Sequence, residues 1–238
     1  MDREYAEYLL KKTEEDYNLI ADDFSRTRAF VPEELKNWIF QYIFSGEKVL
    51  DWGCGNGRFY GIFEKIGVDY FGIDVSEKLI EIAKNQYPRA KFQATSSFNL
   101  PFPDNFFDKI LNIAVFHHIP SKEFRLKFLK EVKRILKPDG LLILTVWNLN
   151  PLRMILIWEW KRFFSFIKFS ILKILGKSKL DLKDFYIPWR NLCQRYVHSF
   201  SKSEIEDLVK ESELKIEEIG ILKSQKTKES NIYLIAKK

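Results

Sequence analysis

Apolar side chains recur at helical spacing from Asp2 to about Ile20, with Tyr5, Tyr8, Leu9 and Tyr17 among them, and again from Pro32 to Phe44. Two helices are therefore predicted ahead of the first strand, joined by a polar, cationic connector at Ser25, Arg26, Thr27 and Arg28. The period then changes. Lys48-Val49-Leu50, Tyr70 to Asp74, Ala90 to Thr95, Phe107 to Val115 and Leu141 to Trp147 are short, β-prone runs. Phe107 to Val115 is mostly apolar, as in the middle of a parallel sheet. Glu77 to Gln86 and Ser121 to Leu136 read as helices between these runs, the second stopped by Lys137-Pro138-Asp139-Gly140. Regular alternation of this kind predicts a doubly wound α/β sheet with right-handed crossovers.

After Trp147 the alternation stops. Met154 to Leu175 is dense in large apolar residues, and from Lys161 to Lys179 there are six basic residues and no acid. Each buried Lys or Arg costs a membrane span roughly 3 kcal/mol, so a spanning helix is disfavoured. Three readings compete: a helical insertion over a substrate cleft, a cationic amphipathic helix on a membrane surface, or a surface for RNA or a partner protein. Regularity returns at Ser201, an N-cap with Glu204 as its capping-box partner, for a helix to about Lys210. Strand-like Leu214 to Leu222 and Ile232 to Ala236 flank SQKTKES and suggest a terminal β-hairpin.

Candidate chemistry begins at the first strand. Val49 to Phe59, VLDWGCGNGRF, runs from a buried strand into a turn with three glycines at alternate positions, Gly53, Gly55 and Gly57. Residues without a Cβ let main chain approach a ligand closely, and a helix from Arg58 would aim its first amides at it. The same spacing also serves nucleotides and plain tight turns. Asp74 ends the second strand about twenty residues beyond the first glycine, where a carboxylate accepts hydrogen bonds from ribose hydroxyls. Phe116, His117 and His118 stand at the C-terminal end of the fourth strand, where open α/β sheets keep their active sites.

DWGCGNG departs from the dinucleotide fingerprint and resembles motif I of class I S-adenosylmethionine-dependent methyltransferases. The resemblance continues through LPFPDNFFDKIL, Leu100 to Leu111, and LKEVKRILKPDGLLILTVW, Leu129 to Trp147. It implies a Rossmann-like seven-stranded doubly wound sheet with two N-terminal helices, formed by residues 1–150 and 184–238, with 151–183 a hydrophobic, basic helical insertion. It implies S-adenosyl-L-methionine as cofactor, held at Asp51, Gly53, Gly55, Asn56, Gly57, Asp74, Val75, Ser76, Ser96 and Asn112. Of these, Asp74 takes the ribose and Val75 and Ser76 border the adenine. Ser96 or Ser97 stands where many relatives carry an acid for the adenine amino group. N-terminal helices usually fold over the cofactor in this superfamily, which makes the Ser25–Arg28 connector a lid candidate.

Bulk properties narrow little further. The chain has 238 residues, 46% hydrophobic and 16% aromatic, enough for a full core and against disorder. A net charge of +6 favours an anionic partner or simply a soluble basic surface. Two cysteines, Cys54 and Cys193, build neither a disulfide framework nor a metal site. No metal is expected in the chain. The charged N-terminus does not read as a signal peptide, so a reducing, cytoplasmic setting is expected.

Five further stretches, YNLIADDFSRTR, ILNIAVFHHI, TVWN, IPWR and QRYVHSF, resemble the tRNA wobble-uridine carboxymethyl methyltransferases, which methylate the carboxylate of 5-carboxymethyluridine. The hydrophobic insertion between TVWN and IPWR is longer than that family leads one to expect. The resemblance implies a tRNA anticodon stem-loop as partner and, as in eukaryotic members, a small zinc-binding activator subunit. Peripheral membrane contact through 154–175 is the remaining partner expectation. A carboxylate is already a nucleophile at neutral pH, so cations that align it matter more than a base. Arg28, His117, His118, Arg190, Arg195 and His198 are the candidates, each weighed against a packing or loop-stabilising role. Trp189 and Tyr196 could stack on an unpaired base or pack in the core. The rival readings are a small-molecule or lipid methyltransferase with an apolar lid, and a catalytically silent cofactor-binding scaffold.

Overall fold

A computed structural model describes residues 1–156, 159–224 and 230–238. Seven strands form one sheet: β1 Lys48–Trp52, β2 Asp69–Asp74, β3 Lys91–Ala94, β4 Phe107–Ile113, β5 Leu136–Trp147, β8 Lys215–Lys223 and β9 Ser230–Lys237. Their spatial order is β3-β2-β1-β4-β5-β9-β8. Every pairing through β5 is parallel, and β9 runs antiparallel between β5 and β8. The sheet reverses its direction of growth on the two sides of β1, which opens a crevice at the C-terminal ends of β1 and β4. This is the fold of class I methyltransferases. The two terminal strands pair as expected for a hairpin, while the turn residues 225–229 lie outside the described residues.

Period-two alternation along β5 splits the core into two layers. Leu142, Leu144 and Val146 bury against Phe124, Phe128 and Val132 of α5 (Lys122–Ile135) and Ile205 and Leu208 of α8 (Lys202–Glu211). Ile143 faces the other way, toward Trp38 and Ile39 of α2 (Glu33–Ile39), Phe63 of α3 (Tyr60–Phe63), and Ile80 and Ala83 of α4 (Glu77–Gln86). The Ser201 cap accepts from the Glu204 amide at 3.3 Å.

Several local expectations are corrected. The first helix, α1, runs Arg3–Thr27, so Ser25 to Thr27 continue it rather than form a connector, and α2 is only seven residues. Arg26 pairs with Asp23 one turn back at 2.5 Å, and the Thr27 hydroxyl donates to the Asp23 carbonyl at 2.8 Å; such local bonds prolong a helix that polarity alone appeared to end. No long helix starts at Arg58: α3 is one turn followed by a 3-10 turn, ended by Gly67 at φ +73°. Leu136 already belongs to β5, pairing with Phe107 before a register shift brings Leu141 opposite Lys109. The insertion contains two helices, α6 Pro151–Leu156 and α7 Trp160–Ile174.

A second, two-stranded sheet, β6 Asp184–Trp189 with β7 Cys193–His198, stands on the main sheet's C-terminal edge. Phe185, Ile187 and Val197 of this hairpin share a small core with Leu149 and Met154, against which Phe163, Phe166 and Phe169 of α7 pack. Buried charge ties the hairpin to α5 and α8. His198 sits between Asp184 (2.5 Å) and Glu204 (2.6 Å), with Arg125 at 3.8 Å from both carboxylates.

Candidate functional site

The crevice opens into a cavity of about 520 Å³. Its near end is main chain. Beyond β1, the amides of Gly53 and Cys54 both donate to the Ile73 carbonyl, at 2.7 and 3.0 Å, which folds the turn back onto β2. The Asp74 carboxylate accepts from the Gly55 amide and the Ser76 amide, each at 2.9 Å. Burial pushes its pKa up, while these amides and that of Val75 pull it back. A carboxylate has about four acceptor positions, so the lone pairs left over can take ribose hydroxyls.

The glycines answer to the protein's own packing as much as to a ligand. Gly53 has φ +94°, and a Cβ there would lie 2.2 Å from a Val115 methyl; a Cβ on Gly57 would lie 2.6 Å from the Phe92 ring. At Gly55 a Cβ would meet the ring of Phe24 at 3.2 Å, so α1 closes directly over the turn. Asn56 donates to the Arg28 carbonyl at 3.3 Å, and its Oδ1 is buried without a partner. A left-handed turn with an acidic acceptor and an unused buried acceptor fits a cofactor that carries a ribose and a cationic end.

Six residues of the sequence-derived cofactor set line the cavity: Gly53, Gly55, Asn56, Asp74, Val75 and Ser96. The other four lie behind it. Asp51 is buried and accepts from the Tyr70 hydroxyl at 2.6 Å, its pKa pushed up to about 7 by desolvation. Gly57 packs on Phe92 and Ala83. Ser76 caps α4 and donates to Asn18 of α1 at 2.8 Å. Asn112 donates to the Trp52 carbonyl at 2.9 Å and so braces β4 against the end of β1.

The far end is built from side chains. Ala114 ends β4 in the left-handed region at φ 58°, its amide donating to Thr145, and so swings the 3-10 turn Phe116–His118 under the cavity. His118 donates from Nδ1 to the Tyr196 carbonyl at 2.7 Å, which leaves Nε2 to accept from the Tyr17 hydroxyl at 2.8 Å. Burial, with Arg195 adding to it, takes the His118 pKa down to about 3. His118 is therefore neutral with both nitrogens engaged. Arg195 is buried, reaches the Tyr17 oxygen at 3.5 Å, and leaves its Nε buried without a partner. The guanidiniums of Arg28 and Arg195 each lie 4.6 Å from the Trp189 ring, and Arg195 also lies 5.2 Å from Trp147.

Arg28, His118 and Arg195 thus meet at the cavity, whereas His117, Arg190 and His198 do not line it. His117 is fully buried against Trp147, 4.4 Å between ring centres, with neither nitrogen bonded and a pKa far below the usual imidazole range through desolvation. Arg190 is largely exposed and pairs with Asp23 at 3.1 Å. His198 is consumed by Asp184 and Glu204. Tyr196, whose ring is buried, packs with Leu9 and Leu180. Sequence reasoning missed Tyr17, Phe24, Arg58, Trp147, Arg153 and Arg162, all cavity-lining. Tyr17 and Phe24 lie in YNLIADDFSRTR, Arg58 in the glycine-turn stretch and Trp147 in TVWN, so these four carried a usable signal and Arg153 and Arg162 carried none. The Arg58 pKa falls to about 10 through burial and the nearby Arg28. Against the lining cations Arg28, Arg58, Arg153, Arg162, Arg195 and Lys223 stand Glu34 and Asp74, so the chamber favours an anion.

Among the described residues no group of three or more His, Cys, Asp or Glu could hold a metal ion, and no helix is long and apolar enough to cross a membrane. Residues 50–144 match the family model for a methyltransferase domain. The chain is 32% identical over 144 residues to tRNA (carboxymethyluridine(34)-5-O)-methyltransferase of Arabidopsis thaliana, covering 60% of this chain and 34% of that protein. It is 29% identical over 208 residues to the protein of the same name in Schizosaccharomyces pombe, covering 81% and 84%. The chain spans only 22% to 34% of the length of the first curated relatives it matches. Among solved structures, a methyltransferase from Methanosarcina mazei superposes with TM-score 0.68 at 22% identity, covering 84% of this chain and 96% of that one. A putative methyltransferase from Haloferax volcanii, in complex with the Trm112 methyltransferase activator, superposes with TM-score 0.65 at 15% identity, covering 94% and 96%.

Proposed function

We propose that this chain, which carries a methyltransferase domain on the class I S-adenosylmethionine-dependent fold, methylates the carboxylate of 5-carboxymethyluridine at the wobble position of tRNA. The observation that carries the reading is the placement of Arg28 and Arg195 on the Trp189 ring, both guanidinium-bearing residues lining the same cavity as Asp74. Two relatives named for that reaction, at 32% and 29% identity, point the same way.

Bound in the crevice, S-adenosylmethionine supplies an electrophilic methyl group on a sulfonium. Asp74 holds its ribose, the main chain of Gly53 to Gly55 backs the chain that bears the sulfonium, and Val75 and Ser96 border its adenine. Arg28 and Arg195 hold the substrate carboxylate, and the cations at the mouth hold the neighbouring phosphates. No residue has to act as a general base: a carboxylate is ionised at neutral pH, and His118 has no free nitrogen to offer. Alignment of the carboxylate oxygen, the methyl carbon and sulfur is what the site contributes. Of the two indoles, Trp147 lines the cavity and takes the displaced nucleobase in this reading, whereas Trp189 is buried under Arg28 and Arg195. The partners of this reading are the anticodon stem-loop and, by likeness to proteins of the relatives' kind, a small activator subunit.

Incubation of the protein with tRNA bearing 5-carboxymethyluridine and labelled cofactor, followed by nucleoside mass spectrometry, tests the proposal. A labelled methyl ester on the wobble nucleoside is expected. Label in a small molecule instead would assign the site to the rival enzyme class, and cofactor binding with no transfer to any RNA would leave a scaffold.

A further inference from the structure

Helix α7 carries apolar side chains on two adjoining arcs of its surface. At 3.6 residues per turn, Phe163, Phe166 and Phe169 share one side, and this side packs on the hairpin: Phe166 lies 5.5 Å from Phe185 and Phe169 5.3 Å from Tyr186. Ser165 fastens it by donating to the Tyr186 carbonyl at 2.7 Å. The hairpin side accounts for the fold of α7. It does not account for the other side, where Phe164, Ile171, Ile174 and Leu175 are 62%, 51%, 75% and 60% exposed. The neighbouring α6 packs on α7 and adds exposed Leu152 and Leu156. Contiguous exposed side chains of this size mark an interaction surface.

The charges beside this face select the partner. Lys161 and Lys168 fall along one edge of the exposed arc, Lys177 and Lys179 follow its C-terminal end, and the chain from Trp160 to Leu180 contains no acidic residue. An acidic protein or RNA would also be attracted. The outward arc, however, combines aliphatic Ile171, Ile174 and Leu175, which cannot stack on bases, with lysine rather than arginine at its border. Long lysine stems carry their ammonium groups sideways to a headgroup layer while neighbouring aliphatics enter the acyl boundary. The helix is also too short and too charged to cross a bilayer.

We propose that the outward face of α7, extended by Leu152 and Leu156, docks the protein on an anionic phospholipid surface, with the helix lying in the interface plane. This rests on exposure and charge alone and stands whatever the methyl acceptor is. Because Arg153 and Arg162 belong to both the insertion and the cavity wall, docking sets the cavity mouth beside the membrane.

Flotation of the full chain with phosphatidylcholine vesicles, with and without phosphatidylglycerol, tests it. Binding to the phosphatidylglycerol vesicles is expected, with loss at high salt and in pure phosphatidylcholine. The double variant Phe164→Glu/Ile171→Glu is expected to bind about tenfold less, and Lys161→Glu/Lys168→Glu to lose the preference for anionic lipid. Both variants alter exposed positions, so unchanged thermal melting would show that they fold. Absence of flotation, or equal flotation of the apolar-face variant, overturns the proposal. So does a dimer in light scattering, or anticodon stem-loop binding, that Phe164→Glu abolishes, since the face would then belong to a second copy or to RNA.

Discussion

At the β1–β2 end of the cavity Asp74 is held by two backbone amides within one supersecondary unit, whereas at the roof Arg28 and Arg195 reach a single indole from two elements far apart in sequence. The first arrangement is rigid because a parallel ladder and a left-handed turn over-determine it. The second depends on a chain of side-chain bonds: Asp23 of α1 accepts from Trp189 Nε1 at 2.9 Å and from Arg190 at 3.1 Å, and so binds the hairpin tip to the end of α1. The cofactor end is thus preformed by main chain, while the roof consists of two pieces fastened by side chains, the Asp23 carboxylate, the Arg195–Tyr17 contact and the packing of Leu9 on Tyr196 among them. A substrate as large as a tRNA loop enters most easily where the fastening is side chain rather than main chain.

If the two ends are independent, substitutions should separate cofactor binding from transfer. The largest effect is expected from Gly53→Val, which forces a Cβ into Val115 at a φ that branched residues avoid; a loss of roughly 3 kcal/mol or more in urea unfolding, with no binding of S-adenosylhomocysteine, is expected. Asp74→Ala should weaken S-adenosylhomocysteine by about a hundredfold in titration calorimetry, because both the ribose acceptor and the partner of the Gly55 amide go. Affinity equal to that of the unaltered protein would remove the ribose assignment. Arg195→Ala should lower kcat/KM for RNA methylation by about a hundredfold while cofactor affinity stays within about twofold. Equal losses in both would mean the two ends are one structural unit.

The hairpin's ionic anchor sharpens the comparison through pH. Desolvation raises the Glu204 pKa, but His198 and Lys183 outweigh it and take the carboxyl from 4.5 to about 2. A depressed folded pKa gives stability that is present above about 4.5 and lost as the pH falls toward about 2. The unfolding free energy from urea titration should therefore drop through that window by about 2 kcal/mol after allowance for partial exposure, and Glu204→Gln should flatten that part of the curve. The smallest effect is expected from Asp23→Asn, which keeps one acceptor for Trp189: a rise of a fewfold in KM for RNA, with kcat, melting temperature and cofactor affinity unchanged.

The same contrast separates what the sequence shows locally from what it hides. Asp74, Gly53 and Gly55 were legible because strand, turn and strand are contiguous, and local backbone requirements leave a mark on residue choice. The hairpin's strands were not recognised, although IPWR and QRYVHSF were singled out, since Pro188 and the charged residues obscure the two-residue period. His198 shows the limit: a histidine suited to anion binding is occupied by Asp184 and Glu204, fourteen and six residues away. Nothing in its own stretch announces those partners.

The alternation of apolar runs, the glycine turn and the acid closing β2 determined the sheet and its crevice, because they follow from the order of contiguous elements, while the class of ligand came from the resemblance of the motifs rather than from their spacing. Only the tertiary structure decided which cations face the chamber, that His118 is neutral and fully bonded, and that α7 keeps one apolar side uncovered. Those facts depend on which distant side chains arrive at the same place, and burial, partner and protonation state are properties of that meeting rather than of any residue by itself.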